Sequence, residues 1–176
     1  MKKLVGSVVL PILGLSLLAG CAPTGGTAAV VNGVSIPDSR VTEATDGCAS
    51  VMRDLGVPEG QMHLQVLRWA VFDEVARQFV AASGLQPTQA ELLAEARIEG
   101  AEDLMADARC AQLVSGVLRY NLLAAALAAS GTQWPDTFGA PDIKINPRYG
   151  VWDLPDVTWA GTGSLSQFDQ NYQPQA

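Results

Sequence analysis

One histidine, three cysteines and two runs of carboxylates are the residues best equipped for chemistry in this sequence. His63 stands alone, so a Ser-His-Asp arrangement has no alternative histidine to draw on and a multi-histidine metal site is impossible. Its spacing predicts a polar position on the solvated side of a helix. Glu91, Glu95, Glu99 and Glu102 fall about one helical turn apart, as a general acid/base or metal-binding cluster would require. Nothing pairs them with an imidazole or an apolar pocket, so the pattern reads as a solvated helix face. Asp103 and Asp107, with Arg109 nearby, read the same way. The chain has no GxSxG elbow, phosphate-cradling glycine loop, CxxC pair or HExxH helix. The sequence therefore names no catalytic residue, no metal ligand and no cofactor, and the chain reads as a binding or structural protein, not an enzyme.

The cysteines carry a different message. Cys21 closes the run Leu18-Ala19-Gly20-Cys21, after Lys2, Lys3 and an apolar stretch from Leu4 to Leu18. A basic start, an apolar segment too short for a comfortable membrane span and small residues at the cut describe a secretory signal peptide over residues 1–20. A cysteine directly after Leu-Ala-Gly resembles a bacterial lipobox. That resemblance implies a diacylglycerol on the Cys21 sulfur, cleavage before it, and a mature chain tethered at the extracytoplasmic face of the cell membrane. The competing reading is an ordinary signal peptide with an accidental cysteine. Residues 21–27 then form a lipidated cysteine and short linker.

Lipidation of Cys21 leaves Cys48 and Cys110 as an even pair in an oxidising compartment, which reads as a disulfide. Two buried thiols on helix faces are the alternative. A bridge would close a loop of about 63 residues and contribute roughly 4 kcal/mol by chain entropy. Loss of Lys2 and Lys3 deepens the formal net charge of −7 by two. Such a surface repels phosphate backbones and anionic headgroups, which argues against nucleic acid and against a polybasic membrane patch. Attachment would then rest on the lipid.

The elements that must position any site follow from local pattern. Ala28 to Ile36 alternates β-formers around Asn32-Gly33, a strong hairpin signal. Asp38 or Ser39 can cap a helix carrying Val41, Thr45, Cys48, Met52 and Leu55, stopped by Gly56 and Pro58. A longer helix spans Glu59 to Ser83, with Leu64, Leu67, Val71, Val75, Phe79 and Ala82 as its stripe and Gly84 as its stop. Thr88-Gln89-Ala90-Glu91 is a capping box that opens a third helix. Gly100 marks a kink or break, and the pattern resumes from Ala101 to a stop at Gly131. Leu122 to Ala129, nearly all Ala and Leu, suggests burial on several sides. Ile143 and Ile145 alternate with polar residues as a strand that completes the hairpin, and Pro147 ends it. The fold class is thus mainly α with a small antiparallel sheet formed by an amino-terminal hairpin and a carboxy-terminal strand. The domain covers 28–159, and 160–176 is expected to be a disordered tail.

The order of these elements carries a family resemblance. Ala29-Val30-Val31-Asn32-Gly33-Val34-Ser35-Ile36, then a polar residue and a helix, resembles the opening of the SurA amino-terminal chaperone domain. Val66-Leu67-Arg68-Trp69-Ala70-Val71-Phe72-Asp73-Glu74-Val75-Ala76-Arg77, then Ala81-Ala82-Ser83-Gly84-Leu85-Gln86-Pro87-Thr88, resembles that family's second segment. There an apolar helix ends in a Gly-hydrophobic turn before a Thr-capped helix. Asn146-Pro147-Arg148-Tyr149-Gly150-Val151-Trp152-Asp153 is similar to the closing segment of actinobacterial SurA-like lipoproteins. The resemblance spans residues 28–153 and implies a helical bundle of the SurA/trigger-factor type. It also implies ATP-independent binding of unfolded, aromatic-rich polypeptides. It departs from the family in leaving no room for a parvulin domain, whose usual histidines are missing, so it implies a binding fold without the isomerase.

An apolar cleft between the long helices would then be lined by Met52, Trp69, Phe72 and Phe79, with Trp134, Tyr149 and Trp152 at its rim. Plain core packing is the alternative for each. Arg148 and Tyr149 could instead fix the carboxy-terminal strand against the hairpin, and Asn32 and Gly33 serve turn geometry. The expected function is a lipid-anchored chaperone-like protein that binds unfolded secreted polypeptides outside the cytoplasm. The alternative is a structural or accessory envelope lipoprotein docking a single protein partner. Oligomeric state is not indicated.

Overall fold

The computed structural model describes residues 25–132, 139–153 and 158–160 of the chain. The expected signal peptide, Cys21, Trp134 and the segment from residue 161 lie outside the described residues. Strands β1 (Thr27–Val31) and β2 (Val34–Pro37) form the hairpin. Asn32 and Gly33 between them take φ values of 48° and 84°, the left-handed backbone that a two-residue hairpin turn needs. β3 (Ile143–Ile145) pairs antiparallel with the free edge of β1, giving the order β2-β1-β3. Ala29 faces Ile145 and Val31 faces Ile143 in that ladder. As the central strand, β1 buries Ala28, Ala29, Val30 and Val31. A further two-stranded ladder, β4 (Val151–Asp153) with β5 (Thr158–Ala160), was not anticipated.

The described residues also form five α-helices, α1 (Asp38–Asp54), α2 (Glu59–Ser83), α3 (Gln89–Ile98), α4 (Glu102–Ala106) and α5 (Ala108–Ala129), and a short 3-10 turn at Pro147–Tyr149. α2 ends at Gly84 in the left-handed region, and α3 opens on the reciprocal Thr88–Glu91 capping box. The structure departs from sequence expectation at three helix ends. Asp38 caps nothing; α1 follows Pro37 without a side-chain cap, and the Asp38 carboxylate turns to Arg148 and Tyr149. The run after Ala101 is not one helix but two, divided at Asp107. That carboxylate accepts the Arg109 backbone N–H at 2.9 Å and starts α5. Asp107 is therefore a helix cap, and the Arg109 guanidinium bound to it holds its carboxyl down at about 2. Finally, of Leu122 to Ala129 only Leu123 is buried, while Ala125, Ala126, Ala128 and Ala129 are exposed. Among the described residues, Leu123 packs with Ala76 and Phe79 of α2 in a small cluster apart from the main core.

The main core lies where α1, α2 and α5 meet beneath the sheet, around Val41, Met52, Val66, Leu67, Val71, Leu113 and Leu118. Cys48 and Cys110 stand at disulfide distance in this core, with a Cα–Cα separation of 5.3 Å, and join α1 to α5. α5 is long and apolar enough to cross a membrane by length and composition; in this fold it packs along α2. Asp73 meets Gly116, Phe72 meets Tyr120 and Phe79 meets Leu123, so α2 and α5 run parallel. α3 and α4 form the crossover that makes this possible.

Candidate functional site

An open cleft of about 480 Å³ lies between α2 and α5, beside the junction of α3 and α4. Gln65, Arg68, Trp69 and Phe72 reach it from α2 because residues i, i+3, i+4 and i+7 share one helix face. Val114, Val117, Leu118 and Tyr120 line it from α5, and Gly100, Ala101 and Leu104 from the α3–α4 junction. The Phe72 and Tyr120 rings sit 4.7 Å apart at 43°, within the tilted geometry that aromatic quadrupoles favour. The Arg68 guanidinium lies 5.5 Å from the Phe72 ring centroid, a cation–π placement that keeps its charge at an apolar wall. Burial pushes the Tyr120 phenol up, so it serves as a neutral hydrogen-bonding group. Glu99 is the one acidic residue among the described residues of the lining. The arrangement can hold an apolar side chain.

Of the side chains expected at such a cleft, two meet there, Trp69 and Phe72. Phe79 lines a separate cavity of about 200 Å³ with Asn32, Val75, Gln78 and Pro141. Met52 is fully buried in the main core, because α1 presents it inward to α2 and α5. Tyr149 is 1% exposed and is engaged elsewhere. Trp152 belongs to β4, and Trp134 lies outside the described residues. Tyr120, Leu104 and Val117 were not expected. The helical pattern from Ala101 to Gly131 pointed at their neighbourhood without showing which face of α5 meets Trp69.

Two polar clusters also have the residue types for chemistry. Asp73 and Glu74 are buried in mid-α2. Asp73 pairs with Arg40 of α1 at 2.7 Å, Arg77 at 3.4 Å and Arg119 of α5 at 3.6 Å. Glu74 pairs with Arg77 and accepts from Gln78 Nε2 at 2.8 Å. Gln78 also donates to the Val31 carbonyl at 3.1 Å and accepts from Asn32 Nδ2 at 2.8 Å. Asn32 Oδ1 in turn accepts the Asp142 N–H at 2.8 Å. With their oxygens engaged by fixed donors, these carboxylates register α1, α2, α5 and the hairpin turn against one another.

The second cluster gathers His63, Asp38, Arg148 and Tyr149. The Tyr149 hydroxyl donates to Asp38, which also pairs with Arg148. Arg148 Nη2 donates to the Tyr149 oxygen at 3.3 Å, and His63 Nε2 lies 3.2 Å from it. The His63 and Tyr149 rings stack at 5.4 Å and 11°. His63 is thus half-buried against an aromatic ring, not on a solvated face as its sequence position predicts. Burial, then the hydrogen bond to Asp38, pushes the Tyr149 phenol up to about 12. Burial lowers His63, reinforced by Arg148 and opposed by Asp38. Asn146 adds two bonds to the start of β1, to the Ala28 and Thr27 carbonyls at 2.9 Å each. The cluster clasps the carboxy-terminal segment to the hairpin and the first two helices.

Among the described residues no group of three or more His, Cys, Asp or Glu is placed to hold a metal ion. No protein-family model, curated protein or solved structure matches this chain.

Proposed function

We propose that this chain is a lipid-anchored, ATP-independent chaperone-like protein of SurA-like fold. On this reading it binds unfolded or extended polypeptides outside the cytoplasm through the α2–α5 cleft. The observation that carries the reading is the cleft itself: Trp69, Phe72 and Tyr120 with aliphatic walls and a few polar groups at the edge. Its volume falls within the roughly 300–1,000 Å³ of ordinary ligand sites. Burying one large apolar side chain is worth about 1.5–3 kcal/mol, which gives the weak, exchanging contact that a holding chaperone uses on varied clients. The lipobox around Cys21 supports the location, and the acidic surface supports protein over nucleic acid as the ligand.

The test uses the full chain in phosphatidylcholine nanodiscs, mixed with a protein diluted from guanidinium chloride. The chain slows client aggregation without ATP, and Trp69→Ser or Phe72→Ser weakens binding of an aromatic peptide about tenfold or more. Added salt changes this little, because the contact is apolar. Absence of both effects at high micromolar peptide sinks the proposal. A crosslinker at position 69 that captures one stoichiometric envelope partner, in place of many clients, would replace it with the accessory-lipoprotein reading.

A further inference from the structure

We infer that Asn32 is a site of spontaneous covalent modification, in which the Gly33 backbone nitrogen and water convert its side-chain amide to aspartate or isoaspartate. The contacts to Gln78 and Asp142 set the rate, so the site records each opening of the hairpin turn. The inference is independent of what the α2–α5 cleft binds. The chain has four asparagines, and Asn32 is the one followed by glycine. Asn121 precedes Leu122 and Asn171 precedes Tyr172, whose side chains crowd the following nitrogen. Asn146 precedes Pro147, which has no N–H to give up. Gly33 has an N–H and no Cβ to shield it. Asn32 and Gly33 are both exposed, so water reaches them.

The chemistry needs only those two residues and water. The Gly33 nitrogen forms a bond to Asn32 Cγ and releases its proton to solvent. The Cγ–Nδ2 bond breaks, and the amide leaves as ammonia, which closes a five-membered imide. Water then adds to one of the two ring carbonyls. Opening at Cγ gives aspartate with the original backbone; opening at the backbone carbonyl gives isoaspartate, whose main chain runs through Cβ and Cγ. The sum is one water consumed and one ammonia released, with no change of oxidation state.

The fold holds this reaction back. Asn32 Nδ2 donates to Gln78 Oε1 at 2.8 Å, and Asn32 Oδ1 accepts the Asp142 N–H at 2.8 Å. Both side-chain atoms therefore point at neighbours, and Cγ must leave them to swing onto the Gly33 nitrogen. Gln78 is itself fixed, through Nε2, to Glu74 and the Val31 carbonyl. Asn32 is also the one non-glycine among the described residues with a positive φ. Imide formation thus waits for the turn to open locally.

The product does not fit the closed turn. Aspartate keeps an acceptor for the Asp142 N–H but has no amide donor for Gln78 Oε1, and it sets a carboxylate beside the Gln78–Glu74 pair. Isoaspartate adds a backbone atom to a two-residue turn whose length fixes the Val31–Val34 register. The Asn32 N–H also donates to the Asp142 carbonyl at 2.8 Å, so Asn32 grips the residue before β3 by backbone and side chain together. Modification loosens β3 from the hairpin.

The experiment incubates the full chain in mildly alkaline buffer and follows Asn32 by peptide mass mapping, with isoaspartate read by enzymatic methylation. Asp46-Gly47, the other pair prone to imide formation, begins as a carboxylate and gains no mass. Asn32 is expected to convert first of the four asparagines in urea and about tenfold or more slowly in the folded chain. Gln78→Ala is expected to convert several-fold faster than the unmodified chain. Equal rates in urea and in the folded chain, or no conversion in urea, overturn the inference. A second measurement needs no variant: the rate should rise with urea below the unfolding midpoint, and a rate flat up to the transition overturns the gating by local opening. In the isolated isoaspartate fraction the Ile143–Ile145 amides should exchange hydrogen about tenfold faster; unchanged exchange overturns the effect on β3.

Discussion

Asp73 on α2 lies so close to Gly116 on α5 that a Cβ at position 116 would overlap the Asp73 carboxyl. A buried carboxylate between two packed helices needs counter-ions and room. Arg40, Arg77 and Arg119 are the counter-ions, and the missing side chain of Gly116 is the room. In a free helix Gly116→Ala would add about 1 kcal/mol of helix propensity. Here it is expected to destabilise the fold by about 1–3 kcal/mol, because overpacking displaces the carboxylate from its guanidiniums. Urea denaturation measures it; a midpoint unchanged or raised would show that Asp73 does not seat against α5.

Asn32 serves the hairpin twice, by its positive φ and by its side-chain bonds to Gln78 and Asp142. Asn32→Gly keeps the turn and removes the bonds, so it is expected to cost about 1 kcal/mol. Asn32→Ala loses the same bonds and also puts into the left-handed region a residue without the short polar side chain that eases Asn there, so it is expected to cost up to about 1–2 kcal/mol more. Equal losses in thermal denaturation would mean that the side-chain bonds carry the whole effect.

The clasp predicts a defined loss of stability on acidification. His63 has a folded value below its ordinary one, so the unfolded chain binds the proton more readily. Its contribution is complete above about pH 6.5 and falls as pH drops through that value toward the folded one. Asp38 is also lowered: burial opposes ionisation, and the hydrogen bonds from Tyr149 and Arg148 outweigh it. Its contribution is present above the ordinary carboxylate value and disappears as pH falls through the lowered folded value. Guanidinium unfolding at about pH 7.5 and 5.5 should show a loss on acidification that His63→Gln reduces. No change with His63→Gln would place the titration elsewhere.

Cys48 and Cys110 lie 62 positions apart. A bridge over that span contributes roughly 4 kcal/mol by loop entropy. Cys48→Ala with Cys110→Ala should lower the unfolding free energy by an amount of that order. Alkylation of the unfolded, non-reduced protein with both thiols labelled in the mass spectrum would remove the bridge.

Much of the fold was legible because short-range chemistry produces it. Asn32-Gly33 imposed its turn, Thr88 and Glu91 their capping box, Gly84 its helix stop, and Ile143 and Ile145 their strand. The errors fall where a side chain had a choice of distant partners. Asp38 has the chemistry of a cap but a stronger attachment to Arg148 and Tyr149. His63 sits at a position that pattern assigns to solvent, and Tyr149 covers it from 86 residues away. Trp69, Phe72, Phe79, Met52 and Tyr149 looked equivalent as large apolar side chains, yet two of the five line the cleft.

The sequence by itself determined the hairpin, most of the helices, the third strand and the acidic charge. These depend on composition and on neighbours within one helical turn or one hairpin. The tertiary structure alone decided that α2 and α5 run parallel, so that Phe72 meets Tyr120 over an open cleft while Asp73 meets Gly116 over a closed ion network. Adjacent residues on one helix point in directions about 100° apart. Which direction becomes core and which becomes cleft is settled by what packs against each, and no local pattern carries that information.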